Sequence, residues 1–178
     1  KELTLNIKGN VLINEISKKE NEELNLTINI EPKSSLIYNR FILHKKANNN
    51  ITINQDNTSN ISFNYSLITT DKVELTINST LTGNNNETSI KVASVTEQNG
   101  KVIITSTADV QPKIENNNLL ESLRILLLNN EESICIPNLL VSSNEVEVNH
   151  AATISGIQQE DLFYLNSKGL SNEAATKL

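Results

Sequence analysis

Asn144 to Leu178 reads NEVEVNHAATISGIQQEDLFYLNSKGLSNEAATKL, and two periodicities meet within it. Up to His150 the spacing is two: Val146, Val148 and His150 share one face of an extended strand, which turns the histidine inward or towards a protein interface. From Gly156 the spacing becomes helical. Ile157, Leu162 and Leu165 form an apolar stripe that Phe163 and Tyr164 widen. Gly169 stands where a left-handed helix cap belongs, and Ser171 has the chemistry to cap a second short helix from Asn172. The stretch predicts the end of a β domain, residues 1–155, followed by a small helical subdomain, residues 156–178.

Upstream, the period of two dominates. Leu3, Leu5 and Ile7 alternate with polar residues, as do Leu24, Leu26, Ile28 and Ile30; Ile61, Phe63, Tyr65 and Leu67; and Val73, Leu75 and Ile77. Each run reads as a strand with one buried face. Polar clusters at 48–50, 84–86, 99–100 and 116–118, rich in Asn, read as turns, because Asn tolerates left-handed backbone and bonds its own main chain. Many short strands admit a β-sandwich or a β-solenoid. Asn ladders at stacked turns favour the solenoid, while the lack of a visible repeat period counts against it. LLESLRILLL, Leu119 to Leu128, fits either a helix or a buried strand.

Composition narrows the function classes. A chain of 178 residues can bury one sizeable core. Aromatics make up 3%, against abundant Ile, Leu and Val, which suits a stacked-strand interior. The net charge of −6 disfavours a nucleic-acid surface, which needs a basic stripe. One cysteine excludes an internal disulfide, no apolar run reaches membrane-spanning length and no signal peptide opens the chain, so a cytoplasmic protein is expected. Because Met is absent and the first residue is Lys1, the chain is expected to be a piece of a longer protein.

The spacing Pro137-x-Leu139, His150-x-Ala152, Leu162-Phe163-Tyr164-Leu165, Ser167-Lys168-Gly169, Glu173-Ala174 resembles the C-terminal pattern of the SufB/SufD family, the scaffold subunits of iron–sulfur cluster assembly. The match runs from Asn118 onward. Several unlike residue types keep one spacing, which makes it specific. The resemblance implies a right-handed parallel β-helix followed by a helical piece, and turns Ser122–Leu128 into a buried strand. It also implies a non-enzymatic scaffold that docks a SufC-type ABC ATPase through Leu162, Phe163, Tyr164 and Leu165, and pairs with a SufB-like subunit or with itself. At the position of Ala151 SufB-type members carry Glu; His-Ala-Ala here leans towards SufD.

The catalogue of catalytic motifs is empty. The sequence lacks a phosphate-binding glycine loop, CxxC, HExxH and GxSxG. His150 reads either as a histidine bonded to a backbone carbonyl or, with the resemblance, as a ligand at a subunit interface, imidazole being acceptable to iron. Cys135, between Ile134 and Ile136, reads as an inert apolar cysteine or as a thiolate for iron or persulfide sulfur. The SufB-type cysteine aligns nearer Glu131. One thiol and one imidazole cannot complete four cluster ligands, so an iron–sulfur cluster here would be transient and shared with a partner subunit, with none held stably by this chain alone. His44, beside Lys45 and Lys46, reads as a surface residue. The Asn-x-Ser/Thr triplets follow from composition. A structural or adhesive solenoid is the rival reading; a polysaccharide lyase or hydrolase would need sugar-stacking aromatics in a groove, and only three Tyr and three Phe are present.

Overall fold

A computed structural model describes residues 1–128 and 131–176 of the chain; the end of the expected second helix and the side chain of His44 lie outside the described parts. The elements are β1 (Glu2–Ile7), β2 (Asn10–Ile30), β3 (Ser35–Gln55), β4 (Asn60–Thr69), β5 (Lys72–Leu81), β6 (Glu87–Thr96), β7 (Lys101–Val110), β8 (Glu115–Leu127), β9 (Ile134–Val141), β10 (Glu145–Gly156), α1 (Gln159–Ser167) and α2 (Asn172–Thr176).

Every strand pair is parallel, as stacked coils require. The long strands β2 and β3 pair along both halves, and β3 then splits its partners: Ser35–Leu43 lies along β4, and Ala47–Gln55 along β5. From there two walls grow separately, β4-β6-β8-β10 and β5-β7-β9. The protein is a parallel β-solenoid with two short C-terminal helices, and the stretch from Leu119 is strand β8. The coil length drifts. Glu2 lies beside Asn25, 23 residues on; Asn10 beside Ser35, 25 on; Asn60 beside Glu87, 27 on; Ile103 beside Ile134, 31 on. This drift hides the repeat from the sequence, because the surplus residues accumulate in the corners while the strands stay in register.

Alternation fills the lumen. Ile61, Phe63, Tyr65 and Leu67 of one wall and Val73, Leu75 and Ile77 of the other are buried in one cluster. Burial of such side chains is worth roughly 1.5–3 kcal/mol each. The expected Asn ladders are present. Asn54 Nδ2 donates to Asn29 Oδ1 and Asn29 Nδ2 to Asn6 Oδ1, each at 2.8 Å, and Asn14, Asn39 and Asn64 repeat the pattern at 2.8 Å. These ladders stand on outward strand positions; at a corner, Asn57 and Asn84 instead accept backbone N–H groups of the next coil at 2.8 and 2.9 Å.

Two of the expected turns lie within strands. Asn48–Asn50 is inside β3: Asn50 donates to Asn25 at 3.1 Å on the outside, and Asn49 turns inward to the Tyr65 hydroxyl at 2.6 Å. Asn116–Asn118 opens β8, with Asn116 at φ 55°. At 48–50 the amides find coil-to-coil and lumen partners instead of a turn; at 116–118 Asn116 keeps the left-handed backbone while Asn117 Oδ1 accepts the Asn86 N–H of the neighbouring coil at 2.9 Å. Asn49 belongs to a buried polar group at the early coils. The Arg40 guanidinium, its side chain 2% exposed, reaches Glu15 Oε2 at 2.7 Å and Glu22 Oε2 at 2.5 Å.

Candidate functional site at the open end of the solenoid

On β8 the inward positions are Leu119, Glu121, Leu123 and Ile125, each no more than 1% exposed. A carboxyl therefore sits in an apolar register. One of its oxygens, Oε1, accepts the Ser106 hydroxyl from β7 on the opposite wall, and the other, Oε2, has no hydrogen-bond partner. Burial raises the Glu121 carboxyl above the ordinary carboxylate range, against the opposing pulls of the Ser106 hydrogen bond and of His150.

His150 lies in register with Glu121, one coil further on. It holds the inward column, as its alternation with Val146 and Val148 predicts, yet it is exposed, since no described strand pairs with the far edge of β10. Cys135 on β9 continues the inward column of Ile104 on the other wall and is half-buried against the core. Burial, reinforced by the negative charge of Glu121, pushes its thiol up to about 11. The structure thus gathers both residues named from the sequence at one end of the lumen, on opposite walls, around a carboxyl the sequence reading passed over. The missed signal was a lone charge at the inward spacing of an apolar run. Among the described residues no three such side chains stand close enough to hold a metal ion. Glu131 lies in the connection between β8 and β9, and Ala151 pairs beside Ser122 on the outward side.

The helical tail is built as its sequence suggests. Gly169 has φ +90°, with its N–H on Asn166 O at 2.9 Å, and Ser171 Oγ accepts the Ala174 N–H at 3.2 Å. In α1 no residue is buried: Leu162 and Leu165 are half-buried, whereas Phe163 is 76% and Tyr164 60% exposed. The second helix, α2, lies against the solenoid. Ala175 is buried, and Glu173 and Thr176 line a groove with Ile68, Val95, Leu126 and Leu128, along the outer side of a wall. Ile68, Val95 and Leu126 fall in register on successive coils, and that apolar ladder is the surface a short helix can cover. No helix among the described residues is long and apolar enough to cross a membrane.

Fold and site together define a parallel β-solenoid that carries Cys135 and His150 in the inward columns of opposite walls and exposes Phe163 and Tyr164 on its tail helix. The profile of the SUF system FeS cluster assembly SufBD core domain matches residues 14–178, and the chain belongs to that family. It is 32% identical over 95 residues to an iron–sulfur cluster assembly SufBD family protein of Staphylococcus aureus (strain USA300), a stretch covering 53% of this chain and 20% of that one. It is also 30% identical over 95 residues, with the same coverage, to the iron–sulfur cluster assembly protein SufB of Bacillus subtilis (strain 168). The matched stretch is a fifth of the length of these relatives.

Proposed function

We propose that this chain is the solenoid part of a SufD-like, non-enzymatic scaffold in the cytoplasm, on which an iron–sulfur cluster is built as cargo. The observation that supports this reading most is the placement of His150 and Cys135 in the inward columns of opposite walls, each coupled electrostatically to Glu121. A histidine nitrogen and a cysteine sulfur are ligands of the kind iron–sulfur clusters use, and the remaining ligands would come from a SufB-like subunit or a second copy. The edges of β9 and β10 support such a partner. Among the described residues each has one unpaired side, and they display Ile136, Leu140, Val141 and Ile154 at 42–54% exposure. Exposed strand edges with apolar side chains invite pairing with another chain.

The second contact is α1. Leu162, Phe163, Tyr164 and Leu165 would dock a SufC-type ABC ATPase, which supplies the nucleotide site this chain lacks. The uncovered aromatic pair supports this, since so large an apolar side-chain area on a nine-residue helix is unusual without a partner. Co-purification of the full-length protein with the ATPase tests the reading. A complex lost in a Phe163→Ser/Tyr164→Ser variant of unchanged melting temperature is the expected result. An unaltered complex would remove the docking role from α1.

A further inference from the structure

The one buried carboxylate oxygen without a partner among the described residues lies beneath His150, and its surroundings restrict what it can serve. Glu121 is flanked along its strand by Leu119 and Leu123 and has Ile90 in register on the coil before it, all apolar and buried. Its Oε1 is taken by the Ser106 hydroxyl from across the lumen. The polar groups left to face its Oε2 are His150, in register on the next coil, and Cys135 on the opposite wall. A buried oxygen normally has a partner. Of these two, only the imidazole carries a strong N–H donor; a thiol donates weakly, and a thiolate would be repelled.

We infer that Glu121 is a positioning residue for His150: Ser106 clamps one carboxyl oxygen so that the other receives a ring N–H, which leaves the opposite ring nitrogen free to face the cluster. This rests on the proposed function, because it assigns a purpose to a histidine taken there as a ligand. Ligating histidines generally donate their second nitrogen to such an outer group, which fixes the tautomer and ring angle and raises ligand basicity. The column Glu121–His150 supplies that outer group from the chain's own previous coil, and the Ser106–Glu121 bond ties it to the far wall. The arrangement makes the imidazole's orientation depend on solenoid stacking rather than on the partner subunit.

The test uses the full-length protein with its partner subunit, ferrous iron as the probe, and Glu121→Gln. Glutamine keeps the shape and can still accept from Ser106, but its amide presents N–H donors where the ring N–H needs an acceptor. The expected result has three parts. Ferrous iron affinity falls by about 10- to 100-fold, the 15N resonances of the His150 ring move towards the other tautomer, and the melting temperature is kept or raised. Unchanged iron affinity with unchanged ring resonances overturns the inference, and so does a fall in affinity that comes with a lowered melting temperature and no tautomer change. His150→Ala and Cys135→Ala run alongside. If both retain iron as the parent does, the proposed function itself fails; if they lose it while Glu121→Gln does not, only the role of Glu121 fails.

Discussion

Replacing Arg40 with Met strikes the buried ion cluster of the early coils. The guanidinium lies between Glu15 and Glu22, at 2.7 and 2.5 Å, with its side chain 2% exposed. Methionine retains much of the apolar stem but removes the cation. Glu15, 35% exposed, can turn to water, whereas Glu22, 6% exposed, keeps its buried surroundings. The cost is therefore mainly that of one buried carboxylate that loses its closest cation but keeps Lys19 at 2.9 Å and the Asn49 amide at 3.2 Å, towards the lower end of about 3–5 kcal/mol. For a chain of this size each kcal/mol moves the melting temperature by about 2–4 °C, so the expected fall is about 6–20 °C. Urea and thermal unfolding followed by far-UV circular dichroism measure it. The companion Arg40→Met/Glu22→Gln removes the buried negative charge left beside Lys19 and should recover most of the loss. A single variant within about 1 kcal/mol of the parent, or a double variant no better than the single, would refute the argument that Arg40 is there to neutralise Glu22.

Gly100→Ala should destabilise the chain strongly, because an added Cβ would lie 2.4 Å from the Thr69 carbonyl oxygen of the preceding corner; the unfolding midpoint reads it. Asn39→Ala breaks both bonds of the Asn14–Asn39–Asn64 ladder and, on an outward face, should cost about 1 kcal/mol by urea titration. Cys135, its thiol pushed up to about 11, should react with iodoacetamide at mildly alkaline pH far more slowly than in the unfolded chain, and Glu121→Gln should speed the reaction. Stability should also depend on pH through Glu121. Its carboxyl is held above the ordinary value of 4.5, so its contribution is complete below that value and lost as pH rises through the folded one. Urea midpoints of Glu121→Gln should accordingly gain on the parent's as pH rises towards neutrality.

The lumen was legible in the sequence because inward residues obey a period of two: the alternation around Ile61–Leu67 and Val73–Ile77 gives strands β4 and β5 directly. The stacking order was not, since coils that lengthen from 23 to 31 residues leave no fixed repeat; the conserved-looking spacing around His150 and Leu162–Leu165 supplied it through family resemblance. Asn was ambiguous for a physical reason. The same amide suits a left-handed corner, an outer ladder or a lumen hydrogen bond, and only the neighbouring coil selects among them; hence Asn84–Asn86 turns and Asn48–Asn50 does not. His150 and Cys135 could be named from chemistry, but their placement on opposite walls about Glu121 depends on which walls β9 and β10 extend, a property of topology. Glu121 needed the register of β8 before its charge became conspicuous.

Anaerobic reconstitution of the full-length protein, in complex with its partner subunit, with ferrous iron and sulfide tests the central claim most directly. His150→Ala should give a folded complex that assembles markedly less cluster by visible absorption and iron content than the parent does. A His150→Ala complex that assembles cluster as well as the parent would contradict the account.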